Sequence, residues 1–124
     1  MSAARRVVIT GIGAITPIGT GVEEFWQGLR RRRSAVREIT RFDSSPFKCH
    51  IAAEVDDFRP TDHLEERRAR RLDRYSQLTI AATRLALADA HLDLAREDPD
   101  RVGAMMGTAL GGVARGEGEY KHFL

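Results

Sequence analysis

Cysteine and lysine are the scarce residues of this 124-residue chain: one cysteine, Cys49, and two lysines, Lys48 and Lys121. A single cysteine excludes an internal disulfide. No apolar stretch approaches the roughly 18 uninterrupted residues that a membrane-spanning helix requires. The opening residues, Met1-Ser2-Ala3-Ala4-Arg5-Arg6, pass straight into a strand-like run and leave no room for a signal peptide. These absences predict a soluble protein in a reducing, cytoplasmic setting.

What is present is ordinary for a globular domain. Apolar residues make up 42% and charged residues 31%, too apolar for a disordered chain. The length suits one domain with a moderate core, so no metal staple is required. Net charge is +2, but of the 20 basic residues 18 are arginine, a bias that reads as compositional rather than functional.

Along the chain, Arg6-Val7-Val8-Ile9-Thr10 is β-branched and apolar, the pattern of a buried parallel strand. A glycine-rich loop from Gly11 to Gly19 follows. Thr20 and Glu23 then match a capping box ahead of a helix with an apolar face of Val22, Phe25, Trp26 and Leu29, ending in Arg30 to Arg33. A short strand is expected within Cys49–Val55, a charged helix over Leu64–Leu72, and a long alanine-rich helix over Asp73–His91, packed on more than one side. A second buried strand is expected at Val102–Gly107. After Gly111-Gly112 a further helix is expected over Arg115–Leu124, with no cap or closing strand following it. Strand–helix alternation implies an α/β layer architecture with right-handed crossovers. A three-stranded parallel fragment would leave open edges, the front part of a larger fold.

Four features invite chemistry. Gly11-Ile12-Gly13-Ala14-Ile15-Thr16 after a strand suggests a dinucleotide loop. It lacks the third glycine, a directly following helix and an acidic residue near 30–35, so a structural turn is the better reading. Cys49-His50 suggests a nucleophile with its base, yet neighbours on an extended segment point to opposite faces. His63, His91 and His122 show no ligand spacing, and an unreactive, ordinary cysteine with surface histidines is favoured. Arg67, Arg70, Arg71 and Arg74 share a helical face, with Arg68 beside them. That face is either solvated and partly neutralised by Glu65, Glu66 and Asp73, or it docks an acidic protein, or it binds nucleic acid. The last is weakened by the missing aromatics and near-neutral charge. Finally, Thr108-Ala109-Leu110-Gly111-Gly112 lies beyond a strand, where open α/β sheets bind ligands.

Taken in order, these residues resemble one family. Arg5 to Gly19, Phe25-Trp26, Arg41-Phe42-Asp43, Ala52-Ala53-Glu54-Val55, Arg70 to Arg74 and Val102 to Gly112 are similar to the β-ketoacyl-acyl-carrier-protein synthases, both the elongating type II fatty-acid enzymes and the related polyketide ketosynthases. The resemblance implies a thiolase-like α/β fold, here an incomplete N-terminal part with a mostly parallel sheet and flanking helices. It implies homodimers or ketosynthase heterodimers, acyl carrier protein as partner, and no metal or organic cofactor. It implies a decarboxylative Claisen condensation through a cysteine thioester, assisted by two histidines and an oxyanion hole. All three reacting residues fall, in the family's order, after position 124. Residues 1–124 on their own are therefore expected to be the front of the family's N-terminal domain and inactive, with Cys49 not the nucleophile. By position, Arg67, Arg70 and Arg71 match the carrier-protein-binding helix, and Thr108, Leu110 and Gly111 match the acyl-pocket wall. Ala109 stands where glycine is frequent, and Leu72 where methionine is. A non-catalytic carrier-docking or ketosynthase-pairing module is the alternative.

Overall fold

The structure, a computed structural model, describes residues 5–124, so the reading of the first four residues lies outside it. Two short antiparallel ribbons and four α-helices follow one another along the chain. Strands β1 (Ile15–Thr16) and β2 (Gly19–Thr20) pair about a Pro17-Ile18 turn. The Thr16 hydroxyl closes that turn, donating to the Gly19 carbonyl at 2.9 Å and accepting from the Ile18 N–H at 3.3 Å.

Helix α1 (Gly21–Arg31) starts where the capping signal puts it, with Thr20 at the N-cap, but by a different bond. Glu24, not Glu23, accepts from the Thr20 N–H at 3.0 Å, whereas Glu23 accepts from the Gln27 amide at 2.8 Å. The Thr20 side chain makes no capping bond. The expected apolar face is present but uncovered: Val22, Trp26 and Leu29 are exposed. Arg32 ends the helix in the left-handed region, its N–H returning to the Leu29 carbonyl.

Strands β3 (Val36–Glu38) and β4 (Ile51–Ala53) form the second ribbon, with Arg37 opposite Ala52. β4 falls inside the expected Cys49–Val55; β3 was not expected. A 3-10 turn at Pro60–Asp62 leads to α2 (Glu66–Ala69), shorter than the expected Leu64–Leu72. Helix α3 (Arg74–Asp89) matches its expected span closely, and α4 (Val113–Phe123) starts two residues before the expected Arg115. The small core is Phe58, Leu64, Ala69 and Ala81, the last with 0% exposure.

Two expected strands are corrected. Neither Arg6–Thr10 nor Val102–Gly107 pairs with anything among the described residues, and no parallel ladder forms there. Val7 is 90% exposed and Met105 fully so. The apolar runs are real, but a parallel strand needs a neighbour on its hydrogen-bonding edge and a cover on each face, and no described residue provides them.

The glycine loop does form a structural turn, and its glycines permit a close crossing. A Cβ at Gly11 would stand 2.3 Å from the Ala86 carbonyl oxygen of α3. The Asp89 carboxylate pins the crossing by accepting from the Ile12 N–H at 2.8 Å. The alanines of α3 are thus small for a reason on the side facing this loop, whereas Ala88 is exposed.

Candidate carrier-docking face and acyl-wall turn

The arginine cluster begins with one helical turn. Carbonyls of Glu65 and Glu66 accept from Ala69 and Arg70 N–H groups, and the chain tightens through Arg71 to Leu72. Ala69 is buried beneath, which directs the arginines outward. The Gln77 amide on α3 donates to the Ala69 and Leu72 carbonyls, at 2.8 and 3.1 Å, and holds this turn against the long helix.

Arg67, Arg70 and Arg71, with Glu66, line an open cleft of about 360 Å³. A second cleft on the same turn is lined by Glu65, Arg67, Arg68 and Arg71. Arg70 is ion-paired with Glu66. Arg67 and Arg71 have no carboxylate within ion-pair distance among the described residues, so their charge faces solvent. The three predicted docking residues are therefore brought together, with two guanidiniums unneutralised.

Arg74 leaves the shared face. Its guanidinium lies 5.0 Å from the centre of the Phe58 ring and donates to the Val55 carbonyl at 2.7 Å. Burial, and then the nearby Arg41, lower its pKa from the ordinary arginine value. The same Phe58 ring stacks on His63 at 5.8 Å, so Arg74 and His63 serve the core. Helical spacing could not distinguish Arg74 from its neighbours, because the axis breaks at Asp73 between α2 and α3.

Thr108, Leu110 and Gly111 form a turn. The Thr108 hydroxyl accepts from the Gly111 N–H at 3.0 Å, and Gly111 takes φ +61°. Leu110 is 80% exposed. The turn opens α4, which Arg115 ties back to the arginine turn by donating to the Arg71 carbonyl at 2.8 Å. The two predicted sites are thus joined by a direct bond between their elements, a link the sequence did not signal.

Cys49 and His50 diverge: the thiol approaches the Ile51 carbonyl at 3.5 Å and the imidazole the Ser44 hydroxyl at 3.4 Å. His91 and His122 contact backbone carbonyls of Asp89 and Gly118. Among the described residues no three His, Cys, Asp or Glu side chains converge as a metal-binding group.

Sequence reasoning missed Glu54, which is only 8% exposed. Burial disfavours its charge, but bonds from the Thr40 hydroxyl (2.8 Å), Thr40 N–H (3.1 Å) and Arg41 N–H (3.3 Å), with help from Arg37, outweigh it. Its pKa is lowered from 4.5. No spacing rule flags an acid whose partners lie thirteen and fourteen residues away.

Helices packed beside short sheet elements, with two apolar runs unpaired among the described residues, fit an α/β arrangement of the thiolase-like class. That class is borne out by a solved structure, the ishigamide ketosynthase/chain length factor. It superimposes with a TM-score of 0.75 and 38% identity over 96% of this chain and 30% of its own. The sequence model of "Beta-ketoacyl synthase, N-terminal domain" matches residues 4–122, and the chain belongs to that family. Among curated proteins, 3-oxoacyl-(acyl-carrier-protein) synthase 2 of Staphylococcus aureus (strain COL) is 39% identical over all 124 residues. "Putative polyketide beta-ketoacyl synthase 1" of Streptomyces halstedii is 48% identical over 118 residues. The chain spans 30% and 28% of the length of these two relatives.

Proposed function

We propose that this chain forms part of a β-ketoacyl-acyl-carrier-protein synthase acting in the cytoplasm, and that it supplies the carrier-docking face and part of the acyl-pocket wall. The carrying observation is the 39% identity to a 3-oxoacyl-(acyl-carrier-protein) synthase over all 124 residues. In the reaction, an acyl group on a cysteine thioester is attacked by the carbanion left when a malonyl-carrier thioester loses carbon dioxide. The new carbon–carbon bond forms as the thiolate leaves. Residues 1–124 are the front of the family's N-terminal domain in this reading and supply none of these reacting groups. Cys49 is exposed, and among the described residues no imidazole hydrogen-bonds its sulfur; on this reading the chain alone is expected not to condense.

Arg67 and Arg71 orient an acidic carrier protein. Solvated charges of this kind act mainly on the encounter rate and on register, so the interaction weakens as salt rises. Leu110 and Gly111, with Thr108 holding their turn, contribute one wall for the acyl chain. The test is Arg67→Glu with Arg71→Glu in the intact synthase, measuring carrier-protein affinity against salt. The expected result is a loss of about tenfold or more and a flatter salt dependence. Unchanged affinity and slope would remove the docking assignment.

A second reading has one observation in its favour: the structural neighbour is a ketosynthase/chain length factor. On that reading the chain is a non-catalytic carrier-docking or ketosynthase-pairing module. A stable, monodisperse 124-residue protein that binds carrier protein would favour the module; a chain that becomes monodisperse only with the remaining synthase would favour the first reading.

A further inference from the structure

A second basic site lies away from the arginine turn, and the carrier reading does not use it. Residues 30–37 hold five arginines and no acid. Arg31, Arg33 and Arg37 line a cleft of about 290 Å³ together with Ser34, Pro17, Ile18 and Ala35. Neutralising the C-terminal carbonyls of α1 accounts for only part of this charge. Arg30 and Arg31 occupy the last turn, whereas Arg33 and Arg37 lie beyond it. Arg37 is ion-paired with Asp56, and Arg31 and Arg33 have no carboxylate within ion-pair distance among the described residues.

The floor of the cleft is closely packed. Gly28 of α1 sits so close to the Pro17-Ile18 turn that a Cβ there would stand 2.2 Å from the Ile18 carbonyl oxygen, which fixes the floor. Ser34 accepts from the Val36 N–H at 3.1 Å, which fixes its oxygen while leaving its own O–H to donate. Two unneutralised guanidiniums and a hydroxyl donor suit a tetrahedral oxyanion, because each guanidinium fork matches two phosphate oxygens. The volume exceeds that of a bare phosphate, and Pro17, Ile18 and Ala35 add an apolar wall.

We infer that this cleft binds a phosphate monoester with an apolar organic group, the phosphate between Arg31, Arg33 and Ser34 and the organic part against Pro17, Ile18 and Ala35. The inference is independent of the arginine turn and of carrier docking.

Equilibrium dialysis of the intact synthase that contains this chain against phenyl phosphate, inorganic phosphate and phenol tests it. Phenyl phosphate is expected to bind about tenfold tighter than inorganic phosphate, with phenol not retained. Arg31→Ser with Arg33→Ser should abolish retention, and Arg31→Lys with Arg33→Lys should weaken it through loss of the fork. Arg96→Ser with Arg101→Ser, removing equal charge elsewhere, should retain it. Equal losses in both serine pairs would reduce the effect to net charge and overturn the site. Equal affinity for the two phosphates would overturn the ester assignment.

Discussion

Gly13 lies so tightly against Ala82 of α3 that a Cβ at position 13 would stand 1.9 Å from the Ala82 carbonyl oxygen. The obstacle is helix backbone, which cannot rotate aside as a side chain could. Gly13→Ala is therefore expected to destabilise the chain by about 2 kcal/mol or more, read from urea unfolding midpoints. Gly103→Ala, where a Cβ would meet nothing within 4 Å, is the matched control and should leave the midpoint nearly unchanged.

Glu54 makes stability depend on acid. Its folded pKa lies below the 4.5 of the free side chain, so on acidification the unfolded chain binds its proton first. The contribution is complete above 4.5 and fades as pH falls through the depressed folded value. Asp43, lowered by the Ser45 N–H and hydroxyl, acts in the same direction. Glu54→Gln should be less stable than wild type at neutral pH, and the gap should narrow as the buffer is taken well below 4.5. A gap independent of pH would show that the carboxylate charge is not what holds Thr40 and Arg41.

Arg74 and Phe58 should behave as a coupled pair. Arg74→Lys keeps the charge but gives up the planar contact at 5.0 Å, and should cost about 1 kcal/mol. Phe58→Leu should remove most of the penalty of that exchange. A double-mutant cycle measures this directly, and additive effects would mean the stacking contributes nothing.

Leu110 is a test of the acyl wall. In the intact synthase, Leu110→Phe should shift the products toward shorter chains, read from the chain-length profile. An unaltered profile would move the wall elsewhere.

The helices were the legible part of the chain. Thr20 and Asp73 mark the starts of α1 and α3, because caps and periodicity are local signals. The β3–β4 ribbon was half legible: β4 stood out, while Val36–Glu38 is too short and too polar to announce itself. The clustering of Arg67, Arg70 and Arg71 was readable from spacing, since one turn of helix suffices to place them. Arg74 was misassigned to that face because spacing says nothing about a helix axis that breaks at Asp73, one residue before it. The Arg115–Arg71 bond and the Glu54 latch join residues distant in sequence, and no local pattern encodes such meetings.

The unpaired runs Val7–Ile9 and Val102–Gly107 separate the chain into two kinetic classes. The helices and the β1–β2 ribbon close through neighbours a few residues away, and the β3–β4 ribbon through partners within about twenty residues, so they form early; the two runs have no strand partner among the described residues. Hydrogen exchange should show this directly, with slow amides in the middle of α3 and free exchange through both runs. The arginine turn, closed by bonds between near neighbours, is thus formed without any contribution from the two runs.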